Sequence, residues 1–470
     1  MNIGKLTKSK NVNVAAFFNI AGPVILNGIS FFTVPIFTRV LGTANYGIAS
    51  LYVTWVQIFT MIIGLQTSGT ISTSVVHFPK EKQNAYRSSV ITISCCSLAV
   101  VGALTVIFIE PIKAATGFSA LVTVLLILHS FGAFSLNFAS SVFIYQKEAY
   151  KNFIFSVLTA VLTVVLSLIL ILKVFPPENN YLGRIIGLAA PNIVIGVALI
   201  SVIVARGRTG FNKEYWKYCL PLCLPLVFHG LSQTVLSQTD KIMLKVFYGD
   251  SAVGIYSLAV TVSHILVIVW NALNNTWVPV YYDHMKAGDY DTIRIRAKNY
   301  IFLFTVLTMG FLTVCPEVVK IFASEEFWQC IEYLPLLAVG SYMMFLYSFP
   351  VNFQFFYKKS LGIAVGTLLA AAVNIVLNYF LIDKFGMKGA ATATLSAYTA
   401  LFIFHQIIAK YALKEKYTFG ITMYYKSIIC VAVTFALCYL LADFWIVRWS
   451  IAAVLGVALL YKTVKNKAIF

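Results

Sequence analysis

The sequence is poor in charge. Asp, Glu, Lys and Arg make up 11% of its 470 residues, whereas a soluble domain carries about 25%. Hydrophobic residues make up 60% and the mean hydropathy is +0.84, so the roughly three soluble domains that the length alone would suggest are excluded. Long polar stretches are missing too. The longest are 79–87, 206–217 and 283–298, and none can house an extramembrane catalytic domain. No GxxxxGK[ST], GxGxxG, HExxH, GxSxG or EF-hand pattern occurs, which removes ATP hydrolysis and the familiar hydrolases; no cofactor and no enzymatic activity are expected. The eight cysteines fall in or beside apolar runs, as at Cys95 and Cys96, with no CxxC pair. Cys219 and Cys223 are i,i+4 neighbours without a nearby His or acid, so neither a disulfide framework nor a metal site is expected, and all eight read as small packing residues. No cleavable signal is evident either: Lys5, Lys8 and Lys10 lead into an apolar run too long for an h-region, which should remain as an anchor.

What is present is a series of apolar runs. A bilayer core of about 30 Å needs about 20 apolar helical residues. Twelve stretches without Asp, Glu, Lys or Arg meet that length, at 13–38, 47–66, 88–109, 118–144, 152–172, 185–205, 218–239, 251–278, 299–316, 333–357, 360–382 and 389–409. A hairpin at 421–442 and 444–461 follows, in which Lys426 and Arg448 would have to snorkel to an interface. The expectation is an all-α integral membrane protein of about 14 transmembrane helices.

The formal charge of +18 would suggest nucleic acid in a soluble protein. With the N-terminus placed in the cytoplasm, however, 25 of the 35 Lys and Arg and 7 of the 17 acids fall on the cytoplasmic side. The whole basic excess is then on that side, which is the positive-inside pattern, and a nucleic-acid partner loses its support. Both termini are expected in the cytoplasm. The stretch 206–217, with Trp216 among basic residues, reads as an amphipathic linker at the membrane surface.

An internal repeat divides the chain. Pro23-Val-Ile-Leu-Asn-Gly28 recurs as Pro225-Leu-Val-Phe-His-Gly230, Thr38-Arg39 aligns with Asp240-Lys241, and after a short insertion Tyr46-Gly-Ile-Ala-Ser-Leu51 aligns with Val253-Gly-Ile-Tyr-Ser-Leu258. Six helices per copy make the two halves parallel, as in transporters with a cleft between repeats. The expected division is 1–208, 209–416 and a C-terminal helix pair at 417–470. Gly183-xxx-Gly187 and Gly362-xxx-Gly366 would permit close helix approach.

The stretch Asn374-Ile-Val-Leu-Asn378-Tyr-Phe-Leu-Ile-Asp-Lys-Phe-Gly386-Met-Lys-Gly389-Ala-Ala-Thr-Ala-Thr-Leu-Ser396 resembles the segment joining the eleventh and twelfth helices of the oligosaccharide flippases in the multidrug/oligosaccharidyl-lipid/polysaccharide (MOP) exporter superfamily, the Wzx type that serves O-antigen and capsule assembly. Asp383 stands where many members have Pro. Residues 33–50, with Arg-Val-Leu-Gly and Tyr-Gly, are also similar, as are Asp240-Lys-x-Met-Leu and Gly254-x-Tyr256. The resemblance covers nearly the full length. It implies a V-shaped MATE-like fold and a carrier with a cavity lined by helices one, two, seven and eight. Drug antiporters of that superfamily rely on acidic cavity residues, whereas the repeat-equivalent positions here are Arg39 and Lys241, which favours an anionic cargo; the denser arginines of the peptidoglycan-precursor flippases are not found in the first helices.

The expected cargo is an undecaprenyl-diphosphate-linked oligosaccharide, carried across a bacterial inner membrane for O-antigen of lipopolysaccharide, capsule or exopolysaccharide. Arg39 and Lys241 would hold the diphosphate, one as a fork and one as a point charge. Arg39 as a snorkelling interfacial residue is the competing reading, because it lies about 39 Å from residue 13 at 1.5 Å per residue. Asp240 would pair across helices or titrate, with H+ or Na+ as coupling ion. His229, opposite Asn27 in the repeat, and Gln66, Gln233 and Asn271 would meet sugar hydroxyls, together with Trp55, Gln57, Gln238, Trp270 and Asn274. Membrane lipids, a polysaccharide polymerase and chain-length proteins complete the expected partners. A cation-coupled multidrug antiporter of the same fold and a membrane-embedded glycan polymerase are the alternatives.

Overall fold

The computed structural model describes residues 12–412 and 419–466. The basic residues Lys5, Lys8, Lys10, Lys414, Lys416 and Lys467 that enter the topology reading lie outside the described residues, as does the side chain of Asn27. The described chain is all α, with no strand among its residues. Three continuous helices, Val12–Gly64, Lys213–Ala287 and Ser360–Ile407, each fold back at one glycine. Divided there, the described residues form fourteen long helices: α1 (12–41), α2 (43–64), α3 (Lys80–Ile107), α4 (Ala120–Tyr145), α5 (Ala149–Lys173), α6 (Asn180–Gly207), α7 (213–248), α8 (250–287), α9 (Tyr290–Phe322), α10 (Leu334–Phe356), α11 (360–385), α12 (387–407), α13 (Tyr425–Leu440) and α14 (Trp445–Asn466). Counted without those divisions, ten helices among the described residues are long and apolar enough to cross a membrane.

The folding glycines carry the internal repeat into three dimensions. Gly42 has φ 67 and ψ 177, and Gly249 has φ 79 and ψ −171. They stand at equivalent positions in the two copies and share a backbone region open essentially to glycine alone. A Cβ on Gly249 would touch nothing within 4 Å, so the penalty of Gly249→Ala is conformational only. That variant is expected to lose about 1–3 kcal/mol, read as a lower unfolding midpoint in detergent; an unchanged midpoint would show that the turn relaxes freely.

By packing, the chain separates into two compact units, one up to Thr234 and one from Val235 onward. The boundary lies inside α7 because the first turns of that helix are bound to unit 1. Tyr215, Cys219 and Cys223 are buried against Phe78, Tyr86 and Phe138, Trp216 Nε1 donates to the Ser89 carbonyl at 3.0 Å, and Ser88 Oγ donates to the Thr209 carbonyl at 2.7 Å. The 206–217 segment is therefore tied to α3 at Thr209 and Trp216, while Arg206, Arg208, Phe211, Lys213, Glu214 and Lys217 are exposed.

Within unit 1, α5 and α6 approach closely through glycine. A Cβ on Gly183 would come within 2.9 Å of the Ile171 nitrogen, and one on Gly187 within 2.5 Å of the Ser167 Cα. The faces of α5 are inverted relative to a soluble helix. Leu158, Val161, Leu162, Val165, Ile169 and Leu172 are exposed, whereas Ser156, Thr159, Thr163 and Ser167 face the bundle, because lipid replaces water as solvent on the outside. Cys95, Cys96 and Cys430 are also exposed, so these three are not core packing residues as expected.

Unit 2 contains α8–α14. The α13–α14 pair packs on α9, and the attachment corrects the expectation for Arg448. It does not snorkel. It is 2% exposed, forms a two-pronged ion pair with Glu317 at 2.6 and 3.0 Å, and donates to the Thr313 carbonyl at 2.9 Å. Lys426, by contrast, is exposed beside Tyr425.

Candidate functional site

A buried polar cluster of unit 2 is built on Asp240, which is 3% exposed. Its Oδ2 accepts from the Tyr256 hydroxyl at 2.6 Å and the Thr394 hydroxyl at 2.5 Å, and its Oδ1 accepts from Asn378 Nδ2 at 2.7 Å. That amide nitrogen also donates to Asn374 Oδ1 at 3.0 Å. The local sequence explains the convergence. Asn374 and Asn378 are one turn apart on α11 and share a face, the glycine fold between α11 and α12 returns Thr394 to the same depth, and the Gly249 fold returns Tyr256 from α8 to Asp240 on α7. Three donors meeting two oxygens is an arrangement suited to an acceptor-only carboxylate. Asn378 Oδ1 and Asn374 Nδ2 are buried without a hydrogen-bond partner among the described residues, so the cluster retains one spare acceptor and one spare donor.

Lys241 follows Asp240 by one residue and is half-buried; about 100° of helical rotation keeps it out of the Asp240 cluster. His264 on α8 lies within reach of its charge. Asn271 is exposed on α8, whereas Trp270 Nε1 and Asn274 Oδ1 are buried without a hydrogen-bond partner among the described residues. Lys245 pairs with Asp250 across the Gly249 fold, so it is engaged in the turn rather than extended toward headgroups.

Unit 1 carries the remaining residues singled out from sequence. Arg39 is exposed near the end of α1, where its guanidinium donates to the Pro35 carbonyl one turn back at 3.1 Å. His229 is exposed and Gln233 half-buried on the first part of α7. Gln66 sits at a break: Leu65 and Gln66 have φ of 46 and 52, left-handed values that are unusual for side-chain-bearing residues, and the 3₁₀ turn Thr67–Thr70 follows. The Gln66 amide lies 3.0 Å from the Cβ that Gly230 lacks, so the glycine of the repeated Pro-to-Gly motif makes room for it. With Gln57, Thr60, Ser68 and Asn137 it lines a cavity of about 220 Å3. A second cavity, of about 690 Å3, shares Ala133 and Asn137 with the first and extends between α1, α4, α5 and α6 to Arg184.

The family model for polysaccharide biosynthesis proteins matches residues 15–285, more than half of the chain. The chain belongs to the polysaccharide biosynthesis protein family. Among curated relatives of this family member, a protein of the Lsg locus of Haemophilus influenzae is 23% identical over 74% of this chain and 85% of its own. Among solved structures, the lipid II flippase MurJ in an inward closed conformation matches with a TM-score of 0.73 at 14% identity, covering 96% of this chain and 99% of that one. An inward-facing multidrug resistance MATE transporter of the MOP superfamily matches with a TM-score of 0.65 at 14% identity, over 85% and 98%. The family member therefore shares the fold of these two transporters.

Reading the sequence identified Asp240 but not its partners. Asn374, Asn378 and Thr394 all lie in the stretch that resembles the family, and the i,i+4 spacing of Asn374 and Asn378 inside an apolar run is the available signal. Arg184 falls just outside the charge-free stretch 185–205, whereas α6 begins at Asn180, four residues before it.

Proposed function

We propose that the protein moves undecaprenyl-diphosphate-linked oligosaccharide repeat units from the cytoplasmic to the outer leaflet of a bacterial inner membrane, for O-antigen, capsule or exopolysaccharide assembly, with both termini in the cytoplasm. The observation that carries this reading is membership of the polysaccharide biosynthesis family on a fold shared with a flippase for another lipid-linked precursor. Cations within or at the ends of membrane helices support an anionic cargo. Arg39 in unit 1 and Lys241 in unit 2 would each neutralise diphosphate charge during transfer, and Gln66, Gln233, His229 and Asn271 would contact sugar hydroxyls. Each elementary charge crossing the membrane potential is worth about 2.3 kcal/mol per 100 mV, so outward movement of a dianion from a negative interior is favoured without ATP.

Asp240 supports ion coupling. A buried carboxylate beside two hydroxyls and a spare amide oxygen can take up a proton or hold a small monovalent cation such as Na+. The same residue favours the second reading, a cation-coupled drug antiporter.

Deleting the gene is expected to leave repeat-unit synthesis intact while lipid-linked units accumulate on the cytoplasmic leaflet, and a reporter fused after Lys217 should face the cytoplasm. Loss of unit synthesis would make the protein an enzyme of assembly; normal export with raised drug sensitivity would select the antiporter. Arg39→Ala and Lys241→Ala should each weaken apparent cargo affinity by roughly ten- to a hundredfold, from about 1.5–3 kcal/mol per lost charge-assisted hydrogen bond, at unchanged membrane levels. The charge-conserving Arg39→Lys and Lys241→Arg should retain more activity. Lys384→Ala, exposed on α11, is the control. Normal export by both alanine variants would leave the two cations as interfacial anchors.

A further inference from the structure

The 690 Å3 cavity lies wholly within unit 1 and is built as a polar shaft. Asn152, Ser156, Thr159 and Thr163 of α5 line it at i, i+4, i+7 and i+11, the spacing of a single helical face, and extend about 16 Å along the helix at 1.5 Å per residue. Asn137 of α4 and Asn192 of α6 add amides from the other walls.

Arg184 stands at one end of the shaft and is the one charged residue lining it. Its position is set by two contacts, a hydrogen bond from Nη1 to Ser167 Oγ at 3.1 Å and stacking of the guanidinium over the Phe37 ring at 3.8 Å. Ser167 continues the α5 stripe one turn beyond Thr163, so the cation is tied to the line of hydroxyls. Arg184 makes no ion pair among the described residues. A guanidinium has five N–H donors in a planar fork, and one hydrogen bond with one stacked face leaves most of that fork for a ligand. A planar fork suits the geometry of phosphate and carboxylate oxygens.

We infer that unit 1 contains an oxyanion site at Arg184, which takes the phosphate or carboxylate of a hydroxylated ligand whose body lies along the Asn152–Ser156–Thr159–Thr163 stripe. The volume falls within the range of about 300–1,000 Å3 typical of small-ligand sites, which is ample for a sugar bearing one acidic group and far larger than a halide requires. The shaft meets the Gln66 cavity at Asn137, so a glycan contacting Gln57 and Gln66 could reach Arg184 with an acidic residue without leaving unit 1. The inference rests on the flippase reading for the identity of the sugar, but the anion site stands on its own geometry.

The test is equilibrium binding to the purified full chain in nanodiscs, which needs no transport. The probes are glucose 1-phosphate, inorganic phosphate and glucose. Glucose 1-phosphate should bind, inorganic phosphate more weakly, and glucose at least tenfold more weakly than its phosphate. Arg184→Gln should weaken glucose 1-phosphate by about ten- to a hundredfold, and Arg184→Lys by less. The paired substitution Ser156→Ala and Thr163→Val, which removes both hydroxyls without adding bulk, should weaken glucose 1-phosphate while leaving inorganic phosphate unchanged. Equal binding of inorganic phosphate and glucose 1-phosphate would overturn the glycan part and retain a free-phosphate site. Unchanged affinity in Arg184→Gln, or no binding of either phosphate to the native protein, would overturn the site itself. Failure of export in cells with binding intact would instead count against the flippase reading.

Discussion

Replacing Asp240 with alanine is expected to abolish export and to lower the stability of unit 2 by about 2–5 kcal/mol. The Tyr256 and Thr394 hydroxyls and the Asn378 amide all point at this carboxylate, and each buried donor left without an acceptor costs about 1–3 kcal/mol, partly recovered by local rearrangement. Asp240→Asn separates the two effects. Its amide oxygen still accepts from the cluster, so most of the stability should remain, while the charge that would bind H+ or Na+ is gone. The expected result is a near-native amount of folded protein that no longer responds to a collapsed ion gradient. Thermal unfolding in detergent and export measured with and without an ionophore provide the two readouts. Native, ionophore-sensitive export by Asp240→Asn would mean that the cluster only joins α7, α8, α11 and α12, and ion coupling would have to reside elsewhere.

Arg448→Ala should be at least as damaging to stability. Glu317 on α9 would then lose its bidentate partner, and the Thr313 carbonyl would lose a donor. Removing one member of a buried ion pair costs about 3–5 kcal/mol, whereas replacing both with apolar groups of similar volume is often neutral. Arg448→Met combined with Glu317→Leu should therefore recover most of what either single change to alanine loses. Arg448→Lys should fall between, because an ammonium cannot reproduce the two-pronged contact. Unfolding midpoints and protease accessibility of the 441–444 connection would report the release of α13 and α14 from α9. A double replacement as unstable as Arg448→Ala would show that the charge, rather than the filled volume, fastens the helix pair.

Both residues illustrate how a charge is read in one dimension. Delimiting spans by charged residues leaves Arg184 just outside the stretch 185–205 and makes Arg448 a residue that must snorkel out of the stretch 444–461. Each instead belongs to a membrane helix, held by a serine and a phenylalanine in one case and by a glutamate in the other. A charged residue looks the same in sequence whether water or a partner from another helix surrounds it.

The helical class, the number of long helices and the repeat were determined by the sequence itself. Hydropathy over about 20 residues is a local property set by the thickness of the bilayer, and the fold-back points at Gly42 and Gly249 follow from a backbone conformation that other residues rarely adopt. The meeting of polar side chains was decided by tertiary structure alone. Asp240 and Asn378 are 138 residues apart and Arg448 and Glu317 are 131 apart, and no periodicity couples positions at such distances. Their pairing follows from which faces of α7, α9, α11 and α14 are buried together, because inside lipid a polar group has to find its hydrogen bonds within the protein.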